Sequence, residues 1–180
     1  RRRFLLAAAA TALVLAGAAD AKTFRFSTSG DVNGLDPHLN NETPTNAMKH
    51  NLYEGLVYRN HKLEVEPALA TEWKQTDPTT WRFKLRQGVK FHDGTPFTAD
   101  DVIFSVKRNN HAQSDLATYS STIAEVKKID DLTVDIVTNG PDPVLLQNLP
   151  AVFIMSKTWS EKNNTAAPVR GIVGNESYAN

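Results

Sequence analysis

Between residues 81 and 106 the spacing of apolar positions changes from alternation to helical spacing, which predicts a strand, a turn and a helix in succession. Trp81, Phe83 and Leu85 alternate with Arg82, Lys84 and Arg86, the pattern of a strand with one buried and one wet face. Gly88 interrupts the pattern and Val89 and Phe91 resume it, while Asp93-Gly94 supplies a pair that tolerates the positive φ of a tight turn. After Pro96, Thr98-Ala-Asp-Asp101 has the spacing of a capping box. Ala99, Val102, Ile103 and Val106 then share one face of a helix expected to end near Asn109-Asn110.

The same reading applied to the rest of the chain gives a mixture of strands and helices. Thr23 to Ser27, with Phe24 and Phe26 on one side, is a short strand candidate that leads into the loop Ser29-Gly-Asp-Val-Asn-Gly34, closed by Asp36-Pro37. A helix is expected from Thr45 to Leu56, with Pro44 near its start, then a polar hairpin over Tyr58 to Glu66 and a single turn at Pro67-Ala-Leu-Ala70. Glu72 to Gln75 and Thr80 to Leu85 are expected to pair across Thr76-Asp-Pro-Thr79. A second hairpin joins Ile123–Ile129 to Leu132–Val137 through Asp130-Asp131. Asp142 is placed to cap a short helix from Pro143 through Leu149, stopped by Pro150. From Lys157 onward the chain is polar and shows little periodicity. The fold class expected is α/β, in its mixed α+β form.

Composition narrows the function. The 180 residues carry 20 basic and 20 acidic side chains, and this balance argues against a nucleic-acid footprint. The absence of cysteine excludes disulfides, thiolate chemistry, cysteine-ligated zinc and a lipid-modified cysteine. Residues 1–21 read as an export signal, with Arg1-Arg-Arg3 as the positive region, Phe4 to Ala16 as the apolar core and Ala19-Asp-Ala21 as the cleavage site. The apolar core is shorter than the roughly 20 residues a membrane span requires, so cleavage before Lys22 and a periplasmic destination are expected. The Arg1-Arg2 pair leaves the route open between a general and a twin-arginine pathway.

No catalytic constellation stands out. His38, His50, His61, His92 and His111 contain no pair at the i, i+4 spacing of a helical metal site, and neither a G-x-S-x-G elbow nor a phosphate-binding glycine loop occurs. No metal and no cofactor are expected. His92 beside Asp93 reads as a hairpin histidine next to a turn aspartate, and Asp100-Asp101 and Asp130-Asp131 as solvated caps and turn residues. Trp73, Trp81, Phe83, Phe91 and Phe104 fall in patterned elements and read as core. Tyr119, in Ala117-Thr-Tyr-Ser-Ser121, suits either a wet surface or a cleft wall. The loop through Asp31, Val32 and Asn33 follows a strand, where ligands of α/β sheets tend to sit, although an ordinary surface loop fits equally.

Taken in order, Leu35-Asp-Pro37, Leu52-Tyr-Glu-Gly-Leu56, Pro67-Ala-Leu-Ala70, Trp81 through Gly94 and Phe97-Thr-Ala-Asp-Asp-Val102 resemble the extracellular solute-binding proteins of the peptide/nickel class, family 5. The resemblance covers roughly Thr23 to Trp159. It implies a two-lobed periplasmic binding protein of the type II, peptide-binding class, of which residues 22–180 form the beginning of lobe I and its extra subdomain. It further implies a binding protein rather than an enzyme, monomeric, closing on a peptide or other small solute and delivering it to an inner-membrane ABC permease. By the same resemblance, Asp31, Val32 and Asn33 are the first candidates for ligand contact and Tyr119 the second. Two other readings stand beside it: a secreted hydrolase using His92 and a carboxylate, and a same-fold sensor or chaperone-like binding protein.

Overall fold

The computed structural model describes residues 30–168. In chain order its regular elements are α1 (Thr43–Lys49), β1 (Val57–Arg59), β2 (Val65–Pro67), β3 (Ala70–Asp77), β4 (Thr80–Leu85), α2 (Ala99–Asn109), β5 (Ile123–Asp130), β6 (Thr133–Thr138), α3 (Leu145–Asn148) and α4 (Lys157–Lys162). Single 3-10 turns lie at Ala117–Tyr119 and Leu149–Ala151. Strands β3, β4, β6 and β5 form one antiparallel sheet in that order, and β1 and β2 pair separately. The α/β mixture expected from the pattern is the mixture observed.

The two predicted hairpins form the sheet. Phe83 pairs with Trp73 on one side and Val134 on the other, and Trp81 pairs with Ile136, so the alternating apolar residues of three strands meet on one face. Phe83, Val134 and Ile136 are fully buried there, together with Val102 and Ala99 of α2. Burial of such side chains contributes roughly 1.5–3 kcal/mol each. The opposite face is charged, with Arg82 forking onto Asp135 through two 2.7 Å hydrogen bonds. Asp93 Oδ1 accepts from the backbone N–H and the hydroxyl of Thr95, and Gly94 takes φ +84°, as the turn required. Helix α2 starts with both halves of the predicted capping box, Thr98 and Asp101.

Four local expectations give way to tertiary packing. The helix expected from Thr45 to Leu56 is Thr43–Lys49, because Leu56 and Val57 are drawn into the core as extended chain. The turn expected at Pro67–Ala70 is instead the passage from β2 to β3, where the N–H groups of Leu69 and Ala70 donate to the carbonyls of Gly55 and Leu56. The polar stretch after Lys157 begins with α4, capped by Ser156, whose hydroxyl accepts from the Trp159 N–H at 3.1 Å. Asp101 is a cap, yet it is buried rather than solvated: its second oxygen accepts from the Lys157 N–H at 2.9 Å. The strand candidate Thr23–Ser27 and the export signal lie outside the described residues.

A candidate ligand cleft held by a buried ionic network

Helix α2 buries a second stripe that the apolar pattern does not reveal. Asp101, Ser105 and Arg108 follow one another at spacings of four and three, so they line one side of the helix, and all three are buried. Arg108 forks onto Asp36, with Nη1 2.9 Å from Oδ1 and Nη2 2.7 Å from Oδ2, both side chains almost fully sealed from solvent. Its Nε donates to the Thr165 carbonyl at 3.0 Å. His38 completes the group: Nε2 lies 3.0 Å from the Phe153 carbonyl and Nδ1 3.1 Å from Arg108 Nη1.

These contacts assign the imidazole. A carbonyl only accepts and a guanidinium only donates, so Nε2 carries the proton and Nδ1 is the acceptor of a neutral ring. Burial, followed by the charge of Arg108, lowers the His38 pKa to about 3, in keeping with that tautomer. Burial pushes the Asp36 carboxyl up, but the hydrogen bonds and charge of Arg108 and the His38 backbone N–H outweigh it and hold Asp36 below its usual value.

The network fixes the surrounding chain. Lys49 Nζ donates to the carbonyls of Leu39 and Asn40, which ties α1 to the segment after His38. Burial lowers this lysine to about 8, against the attraction of Asp36, Asp115 and Glu42. The His38 carbonyl accepts from the Ser114 hydroxyl and the Asp115 N–H, each at 3.0 Å, and Asp115 Oδ2 accepts from the Asn40 N–H at 2.8 Å. Asn109, from α2, donates to the Leu116 carbonyl at 3.0 Å and to the Ser120 hydroxyl at 2.6 Å. The turn that carries Tyr119 is therefore held at both ends by buried hydrogen bonds.

In front of this framework lies a cleft of about 480 Å³, lined by Asn46 and His50 near α1, Tyr58 and Arg59 of β1, Leu116 and Tyr119, and Gln147, Asn148, Pro150, Ala151 and Phe153. Its size lies within the range of small-molecule sites. The Phe153 ring meets the His50 ring edge-on at 5.0 Å and the Tyr53 ring at 6.0 Å, and Tyr53 donates its hydroxyl to the Leu35 carbonyl. Gly55 is required behind it: a Cβ there would stand 2.8 Å from the Leu149 carbonyl oxygen, which would push away the turn that presents Pro150 and Ala151. Burial, then the positive charges of Arg59 and Lys49, lowers the His50 pKa.

The sequence-predicted residues divide. Tyr119 is half-buried, packs against the core and lines the cleft. Asp31, Val32 and Asn33 do not line it. Asp31 Oδ1 accepts from the Val32 N–H, and Asn33 is tied to α1 through its N–H to the Thr45 hydroxyl and its amide to Glu42. His92 is exposed, and no cluster of three or more metal-ligating side chains occurs among the described residues. No helix among the described residues is long and apolar enough to cross a membrane. Sequence reasoning missed Arg59, His50 and Phe153 in the cleft, and Asp36, His38 and Arg108 behind it. For the network, the one available signal was the polar stripe 101–105–108 on an amphipathic helix.

A sequence model of the bacterial extracellular solute-binding proteins, family 5, middle region, matches residues 64–179, more than half of the chain. The chain belongs to this family. The dipeptide-binding protein of Escherichia coli K12 is 34% identical over 174 residues, covering 83% of this chain and 32% of that protein. Among solved structures, the ABC transporter-associated periplasmic binding protein DppA of Helicobacter pylori, in complex with the peptide STSA, superposes with a TM-score of 0.64 at 30% identity, over 76% of this chain and 32% of that one. The PBP AgaA from A. tumefaciens R10, in complex with agropinic acid, gives a TM-score of 0.68 at 27% identity, over 79% of this chain and 30% of that one. The chain thus spans about a third of the length of these family members, and its fold is that of the type II, peptide-binding class of periplasmic binding proteins over that third. Family 5 is made up of solute-binding proteins, and enzymes are not part of it.

Proposed function

We propose that this chain supplies one wall of the solute cleft in a monomeric periplasmic receptor that binds peptides and delivers them to an ABC permease of the inner membrane. In this reading residues 1–21 are a cleaved export signal and residues 22–180 are the beginning of lobe I with its extra subdomain. The observation that carries it is the cleft lined by Tyr119 and Tyr58, with amides at Asn46, Gln147 and Asn148. Aromatic faces and amide groups suit an extended peptide, since rings cover apolar side chains and amides pair with peptide N–H and C=O groups. Tyr119 contacts ligand directly. Asp31, Val32 and Asn33 border the site where Asn33 is tied to Thr45, the neighbour of the cleft residue Asn46. Binding is by closure of a second lobe over this wall, with no covalent chemistry.

The likeness to an agropinic-acid complex supports a second reading, in which the solute is agropinic acid or a similar small organic acid. A thermal-shift screen of the intact protein against di- to pentapeptides, nickel chelates, sugars and agropinic acid separates them, because a ligand that binds only the native state raises the melting temperature. A rise with peptides is expected. A rise with agropinic acid and none with peptides would replace the first reading by the second.

A further inference from the structure

Among the described residues, the one formally charged side chain in the cleft lining is a cation. The lining contains one arginine, Arg59, one histidine, His50, and no carboxylate. The other polar residues of the lining, Asn46, Gln147, Asn148, Tyr58 and Tyr119, all carry side-chain hydrogen-bond donors.

Arg59 makes no ion pair among the described residues. The hairpin that carries it explains why. Its cross-strand partner is the apolar Val65, and Glu66 pairs with Tyr58 instead. The carboxylates of Glu64 and Glu66 are engaged by the side-chain amide of Asn60, at 3.0 and 2.6 Å. Arg59 thus lines the cleft with no side-chain partner among the described residues, and the charges acting on the nearby His50, those of Arg59 and Lys49, are both positive.

We infer that Arg59 anchors a carboxylate of the bound solute, with the amides of Gln147 and Asn148 and the Tyr119 hydroxyl as neutral donors beside it. The solute class is therefore carboxylate-bearing and carries no cation at this end. This rests on the cleft being the solute site. The carboxylate can be the terminus of a peptide, an acidic side chain or that of a small organic acid, and a guanidinium fork matches each of them.

Calorimetric titration of the intact protein tests this with matched probes: Ala-Ala-Ala against its C-terminal amide, Ala-Glu-Ala against Ala-Gln-Ala, and glutarate against glutaramide. For at least one pair the carboxylate member is expected to bind more tightly. Arg59→Met is expected to weaken that member about tenfold or more while changing its neutral partner less than about twofold. Arg59→Lys should recover part of the loss. The pair that responds identifies the source of the carboxylate. Arg59 is exposed, so an unchanged melting temperature without ligand serves as the folding control.

If Arg59→Met lowers both members of every pair equally, or neither, the anchor is wrong while peptide binding stands. If glutarate binds in an Arg59-dependent way and no peptide binds, the peptide reading fails and the anchor stands. Binding of none of the six probes by the unsubstituted protein would overturn both.

Discussion

Arg108 with His38, and Arg59 with His50, are the same two residue types in opposite settings. The first pair is sealed behind Phe153 with every polar atom directed: Arg108 forks onto Asp36, and the neutral His38 ring spans Arg108 and the Phe153 carbonyl. The second pair lies on the cleft side of Phe153, where Arg59 has no ion pair among the described residues and His50 rests its ring edge-on against Phe153. A buried charge without a partner costs several kcal/mol, so the sealed pair must be satisfied from within and its residues are committed to the fold. An exposed charge carries no such requirement and remains available to a ligand. One residue joins the settings, because the Phe153 carbonyl belongs to the network and its buried ring packs against His50.

Removing one member of the sealed group should break the contrast most severely. Arg108→Met leaves the Asp36 carboxylate buried without its partner and is expected to cost about 3–5 kcal/mol, read from the urea midpoint of the intact protein. A loss below 1 kcal/mol would mean that the pair is not structural.

Acidification probes the same group without mutation. The His38 pKa is about 3 in the fold against 6.5 in the unfolded chain, so between these values the unfolded state binds more protons and stability falls as pH falls. The slope approaches about 1.4 kcal/mol per pH unit inside the window. Asp36, held below its usual 3.8, adds a further loss as pH drops through that value, while Asp101, pushed up chiefly by burial, offsets part of the loss just above it. His38→Gln should flatten the slope just below pH 6.5, and an unchanged slope would place the effect on another group.

Tyr119→Phe removes a hydroxyl from the cleft and leaves the packed ring in place. Ligand affinity is expected to fall by about twofold to tenfold, with the melting temperature of the unliganded protein unmoved. A stability loss of the size expected for Arg108→Met would move Tyr119 to the structural side of the comparison. His92→Ala, at an exposed turn away from both settings, should change neither affinity nor stability measurably. A marked loss of affinity would bring the hairpin at Asp93-Gly94 into the binding function.

Much of the framework was legible because its signals are local. Alternation marked β4 and β6, the Thr98–Asp101 capping box marked the start of α2, and Asp93-Gly94 marked its turn, each through interactions between residues a few positions apart. Family membership followed from several such strings in order. The cleft was nearly illegible: of its lining only Tyr119 was singled out, since Asn46, His50, Arg59, Gln147 and Phe153 lie far apart in the chain and share no spacing.

The amino-acid order by itself determined the strands, the capped helix and the burial of their apolar faces, because backbone preference and side-chain period act within one element. Only the tertiary structure decided that Asp36 and Arg108, 72 positions apart, would meet, that Leu56 would leave the predicted helix for the core, and that Arg59 would line a cleft without an ion pair among the described residues. The physical reason is desolvation. Whether a charge must find a partner depends on whether other parts of the chain exclude water from it, and that is a property of the folded whole.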